Sequence, residues 1–104
     1  MERQTTISKD IKFRGHLKFD HTVKIEGFFQ GTIESLGNLI IGPSGEVEAD
    51  IKTKNLEHYG KLKGNIIAEN KIILRKNSLI RGDLSCKDLE VESGSKFTGT
   101  CIMD

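Results

Sequence analysis

A chain of 104 residues is one domain. Its 16 Lys+Arg stand against 15 Asp+Glu, and a net charge of +1 leaves no electrostatic footprint for nucleic acid. Two Cys without CxxC spacing point to neither a zinc finger nor a disulfide framework, and no apolar stretch approaches the roughly eighteen residues of a membrane span.

The first ten residues, MERQTTISKD, are polar, lack the apolar run of a signal peptide, and read as a flexible tail over 1–10. From residue 11 onward the chain repeats itself. The phrases FQGTIES, VEADIKT, LKGNIIA, IRGDLSC and FTGTCIM follow one another, each built around a small residue. With Gly15 ahead of them in the first unit, those residues are Gly31, Ala49, Gly64, Gly82 and Gly99, and the six follow at steps of 16, 18, 15, 18 and 17. Two positions earlier lie Phe13, Phe29, Val47, Leu62, Ile80 and Phe97; two later lie Leu17, Ile33, Ile51, Ile66, Leu84 and Cys101. A second apolar series keeps nearly the same period: Val23/Ile25, Leu39/Ile41, Leu56/His58, Ile72/Leu74 and Leu89/Val91. Two landmarks with one period mark a repeat protein.

Inside each unit the apolar residues stand two apart, the period of strands, and the polar residues between them face outward. Gly27, Gly37–Asn38, Pro43–Ser44–Gly45, Gly60, Asn77–Ser78 and Ser93–Gly94–Ser95 punctuate the units as turns. A unit of this length is too short for a propeller blade or a two-helix repeat. It fits one coil of a parallel β-helix, three short strands and three corners, with like positions stacked into ladders. The small middle residue is expected to keep a side chain from striking the opposite wall. An antiparallel barrel explains the alternation but not the fixed period. The expected fold is all-β: a single three-sided β-helix of about six coils over 11–104.

Solenoids usually close their ends with polar caps. Here the first coil begins with Phe13, Leu17 and Phe19, and the last carries Phe97, Cys101 and Met103. These six residues are the expected polymerisation interface, because an uncapped apolar end invites another molecule to continue core and ladders. Repeated stacking of that kind builds a filament.

The ordered set VKIEGFFQGTIES, LIIGPSGEVEADIKTKN, KLKGNIIAENKIILRKNSLIRGDL and KFTGTCIM resembles the bactofilins, across about residues 11–103. The resemblance implies a right-handed, three-sided β-helix and nucleotide-independent filaments. It implies a scaffold for cell shape or envelope synthesis, with partners among cell-wall synthesis or hydrolysis proteins. It also places the polymerisation-critical apolar residue of the last coil at Phe97. The apolar membrane-binding peptide of many relatives has no counterpart in MERQTTISKD, so direct membrane contact is not implied. The expected location is cytoplasmic, and the scaffold reading is compatible with a position at the inner face of the cell membrane.

No enzyme chemistry is expected. His16 points outward and lies about two and a half coils from His58, too far to share a metal. His58 stands where other units carry Ile, Leu or Val, which predicts an irregular coil or a corner position. Neither GxGxxG nor a P-loop occurs, and Gly42–Pro43–Ser44–Gly45 reads as a turn. Cys86 and Cys101 fall in different columns and read as buried thiols. No cofactor and no metal are expected. The competing function is a β-helical binding or enzyme module that forms discrete trimers around a ligand site between protomers.

Overall fold

The computed structural model describes residues 4–103, with side chains from Thr6 onward. Ten strands follow in chain order: β1 (Gln4–Ile7), β2 (Lys12–Phe19), β3 (Thr22–Ile25), β4 (Phe28–Ser35), β5 (Asn38–Ile41), β6 (Glu46–His58), β7 (Lys61–Leu74), β8 (Leu79–Cys86), β9 (Asp88–Val91) and β10 (Lys96–Met103). Every pairing between them is parallel, which excludes the antiparallel barrel. The long strands stack as β2–β4–β6–β7–β8–β10, and the short ones as β1–β3–β5, continued by the second parts of β6 and β7 and by β9. The chain is a parallel β-helix of six turns.

Alternation along each strand puts the apolar set inside. Phe29, Val47, Leu62 and Ile80 form one buried column, Ile33, Ile51, Ile66 and Leu84 the next, and Val23, Leu39, Leu56 and Ile72 a third. Burying side chains of this size contributes about 1.5–3 kcal/mol each. Outside, Asn38, Asn55 and Asn70 share an amide ladder: Asn55 Nδ2 donates to Asn38 Oδ1 at 2.8 Å, and Asn70 Nδ2 donates to Asn55 Oδ1 at 3.0 Å. Gly45 N–H donates to the Gly42 carbonyl at 2.9 Å, so the segment read as a turn is one.

The central glycines are explained differently from the sequence reading. Gly15, Gly31, Gly64, Gly82 and Gly99 have φ between 136° and 141°, a region that side-chain-bearing residues rarely enter. A Cβ on Gly31, Gly82 or Gly99 would run into the carbonyl of the glycine one coil earlier, and one on Gly64 into that of Ala49. The obstruction lies along the stacking axis and not across the core, so the opposite-wall argument is wrong. Ala49 lies outside the positive-φ set, and around it the β6–β7 register passes from Glu48–Lys63 to Ile51–Ile66.

Part of the segment expected to be a flexible tail is ordered. Residues 4–7 form β1 and pair with β3, from Gln4 with Thr22 to Ile7 with Ile25. Ile7 thereby heads the column Ile25, Ile41, His58, Leu74 and Val91. One β-branched run, Thr5–Thr6–Ile7, suffices for a strand when a ready edge lies beside it. Residues 1–3 and Asp104 lie outside the described residues.

His58 occupies the core column itself, between Ile41 and Leu74, and is fully buried. The irregularity expected of its coil lies nearby, as a register shift between Thr53 and Asn55. Its Nε2–H donates to the Leu79 carbonyl at 3.0 Å, while Nδ1 has no partner. Burial lowers its pKa from 6.5 to about 4, against the opposing pull of the Leu79 and Gly60 carbonyls. A folded-state pKa below the unfolded one means that the unfolded chain takes up the proton first. This contribution is therefore complete above pH 6.5 and is lost as pH falls towards 4. The expected loss is about 3 kcal/mol. Urea unfolding at a series of pH values should show a decline over this window that His58→Leu removes; an identical slope in the variant would refute the assignment.

Candidate assembly surfaces

The six turns end in two layers that nothing among the described residues covers. β1 pairs only with β3 and β2 only with β4 at one end; β9 pairs only with β7 and β10 only with β8 at the other. Each terminal strand keeps one row of N–H and C=O groups unpaired, the edge that recruits further strands.

Exposure along the core columns locates the apolar part of these layers. In one column Phe29 is 0% exposed while Phe13, one coil nearer the end, is 36% exposed and stacks on it at 5.2 Å between ring centroids. Leu17 is half-buried above fully buried Ile33. At the opposite end Phe97 is half-buried over Ile80, and Cys101 is exposed over Leu84. Met103 is 53% exposed over Cys86, which is 2% exposed. The chemistry of each column is unchanged between neighbours; only the missing coil differs.

Phe19 is the exception among the six predicted residues. Its ring is nearly buried, over the small Ser35 and with the His21 ring 5.9 Å away, so it belongs to the core of the first coil. Sequence reasoning also missed two residues. Ile11, 45% exposed, lies just before β2, and Val91, 57% exposed, ends the Ile7 column. Val91 was visible as the last member of the second apolar series, and it is exposed because no described strand stacks beyond β9.

Both cysteines are free. Cys86 is buried, which pushes its thiol pKa up, with the Cys101 thiol adding to the effect. Cys101 is exposed, contrary to the expectation of two buried thiols, because it replaces a core leucine in the coil with no neighbour. His16 points outward and lies 3.9 Å from Glu34. Among the described residues no three His, Cys, Asp or Glu side chains are placed to hold a metal ion. No described helix is long and apolar enough to cross a membrane.

Comparison with known proteins agrees with this architecture. Residues 5–102 match the family model "Bactofilin: Polymer-forming cytoskeletal". Bactofilin BacO of Myxococcus xanthus is 34% identical over 100 residues, covering 96% of this chain and 79% of that protein. Bactofilin BacP of the same organism is 28% identical over 99 residues, covering 95% of this chain and 41% of that longer protein. Among solved structures, Thermus thermophilus bactofilin in double helical filaments superposes with a TM-score of 0.91 at 30% identity, over 96% of this chain and 99% of that one. The cytoskeletal bactofilin BacA superposes with a TM-score of 0.88 at 25% identity, over 97% and 96%. A matched model spanning nearly every coil, and a fold shared with a bactofilin solved in filaments, make this chain a member of the bactofilin family of polymer-forming cytoskeletal proteins.

Proposed function

We propose that this chain polymerises end to end, without nucleotide, into filaments that scaffold cell shape or envelope synthesis at the inner face of the cell membrane. Phe13 and Leu17 at one end, and Phe97, Cys101 and Met103 at the other, form the junctions, with Phe19 supporting the first from within. One observation carries the reading: the same apolar columns that are sealed within the rod lie open at both of its mouths. Stacking a further coil removes that surface from water and pairs the free strand edges in one step. The outward faces remain available for cell-wall synthesis or hydrolysis proteins.

The test is negative-stain microscopy and pelleting of purified protein without nucleotide. Filaments that appear above a critical concentration are expected. A species that remains monomeric at high concentration, or a discrete trimer by ultracentrifugation, would overturn the proposal.

A further inference from the structure

Along one ridge of the rod, six corners lead out of the short-strand face, and they differ in length. Residues 8–11, 42–45, 75–78 and 92–95 make corners of four residues, whereas 26–27 and 59–60 make corners of two. A short corner set between two long ones leaves a notch. The protein fills the second notch itself. Beside Tyr59–Gly60, Tyr59 Oη donates to Glu57 at 2.6 Å and Arg75 Nε donates to the same carboxylate at 2.8 Å. The Arg75 guanidinium also lies 5.9 Å from the Tyr59 ring centroid. The first notch, at Glu26–Gly27, has no such filling. Glu26 is engaged by Lys24 at 3.0 Å, and a concavity of about 500 Å³ remains.

This notch is built before anything enters it. Its floor is Gly27, where a Cβ would strike the carbonyls of Ser8 and Ile11. The walls are tied to the floor: Phe28 N–H donates to the Ile11 carbonyl at 3.0 Å, and Glu46 N–H donates to the Gly27 carbonyl at 2.9 Å. Each wall is closed on itself as well, by Ile11 N–H to the Ser8 carbonyl and by Gly45 N–H to the Gly42 carbonyl. Lys9 stands on one wall and Ser44 on the other, while Lys12 and Arg14 of β2 flank the opening. Lys12, Phe28 and Glu46 follow one another in register on adjacent coils, about 4.8 Å apart.

Three cations therefore face one carboxylate, and none of them is neutralised. Among the described residues, Lys9, Lys12, Arg14 and Glu46 enter no ion pair or side-chain hydrogen bond. Ser44 makes no hydrogen bond among them through its hydroxyl or its N–H. On the short-strand face the charges are already matched, with Lys71 2.8 Å from Glu90 and Arg75 2.8 Å from Glu57.

We infer that the notch binds a small phosphate monoester, with its phosphate held by Lys9, Lys12 and Arg14 and its organic part lying on Phe28 towards Glu46. A phosphate dianion takes charge-assisted hydrogen bonds from several cations at once, and the Ser44 hydroxyl adds a neutral donor. The half-buried Phe28 ring offers a face on which a flat group stacks. Glu46 accepts from a hydroxyl or amine at the far end of that group, and its charge opposes a bare polyanion or a flat anionic surface. The volume lies within the roughly 300–1,000 Å³ of small-ligand sites. A ligand so placed touches three successive coils, so binding holds the first coil to the third.

The test is isothermal titration calorimetry of the purified full chain at low salt, with adenosine monophosphate as the probe. One saturable site per protomer is expected, weakening as salt rises. Adenosine lacks the phosphate and inorganic phosphate lacks the ring, and each should bind roughly tenfold more weakly or worse. Lys12→Gln/Arg14→Gln should lose a similar factor, and so should Ser44→Asp, which sets a carboxylate into the notch from an exposed turn. Lys61→Gln/Lys63→Gln, on the coil beyond Glu46, should bind as wild type does. Amide exchange over 8–12 and 42–46 should slow when the probe is bound. Absence of saturable binding would overturn the inference, as would equal weakening by the Lys61/Lys63 pair, the mark of diffuse charge attraction. Inorganic phosphate binding as tightly as the monoester would reduce the notch to a bare ion site and overturn it too. Phosphatidylglycerol vesicles that bind through Lys12 and Arg14, with no binding of the monoester, would give these cations to a lipid surface instead. The site lies within one protomer, so a protein that failed to form filaments would test it equally.

Discussion

Replacing Phe97 by Arg should abolish filaments while leaving the protomer folded. Phe97 lies in the last strand, β10, in register with Ile80, and closes the column that begins at Phe13 and Phe29. It is half-buried in the free chain, and the proposed stacking of another copy would enclose it fully. In the protomer an arginine can extend its guanidinium past the rim into water, so folding loses little beyond the packing of one ring. At a junction the same guanidinium is shut between two apolar layers without a counter-charge. An uncompensated buried charge costs about 3–5 kcal/mol. That corresponds to a rise of roughly 100- to 1,000-fold or more in the concentration needed for assembly. Pelleting and negative-stain microscopy should find no filaments at concentrations where wild type is fully polymerised, with circular dichroism unchanged. Phe97→Leu, which keeps the apolar contact, should still assemble. Filaments of Phe97→Arg at the wild-type concentration would remove Phe97 from the junction.

The architecture was legible because a solenoid writes its geometry into the sequence. Successive coils put the same demand on the same column, so Ile33, Ile51, Ile66 and Leu84 announce one buried ladder before any coordinates exist. Open ends were expected for the same reason, and among the described residues no strand pairs beyond β2 or β10. What the period could not convey is which direction a constraint comes from. Gly31 and Gly82 look small for the sake of the core, yet the atom each must avoid is a carbonyl of the previous coil. Nor could the pattern separate residues at the edge of a layer from those sunk into it. Phe13 and Phe19 are one coil's two phenylalanines, but Phe13 lies on the broad ring of Phe29 and stays accessible, while Phe19 settles over Ser35 and is covered. His58 broke a hydrophobic column and drew attention as a corner, when the carbonyl of Leu79 within reach of Nε2 lets a neutral imidazole remain inside. β1 escaped because its four residues lack a full repeat, and a short strand is stable only through the edge it joins.

The glycine row yields the second large effect, and comparing its members separates two causes. Gly82 has φ of 141°, and a Cβ there would meet the Gly64 carbonyl; Gly15 has φ of 140°, but the nearest atom to its Cβ is Phe13 Cε1 at 3.8 Å, an ordinary contact. Alanine at either position carries the backbone strain of a region reserved for glycine, about 1–3 kcal/mol. Only at Gly82 must the two coils also move apart, with overpacking adding about 1–3 kcal/mol. Gly82→Ala is therefore expected to lose about 2–6 kcal/mol, a large part of the roughly 5–15 kcal/mol that holds a domain folded. Gly15→Ala should lose only the first share. Urea unfolding followed by circular dichroism checks this, and the Phe97→Arg background keeps filament formation from adding to either value. Because Gly82 sits between β7 and β10, its variant should also expose the coils beyond it to proteolysis before the coils ahead of it. Equal losses at the two sites would mean that φ alone sets the requirement for glycine. The stacking distance between coils would then be slack enough to admit a methyl group, and the rigid lattice that the proposed junctions require would not exist.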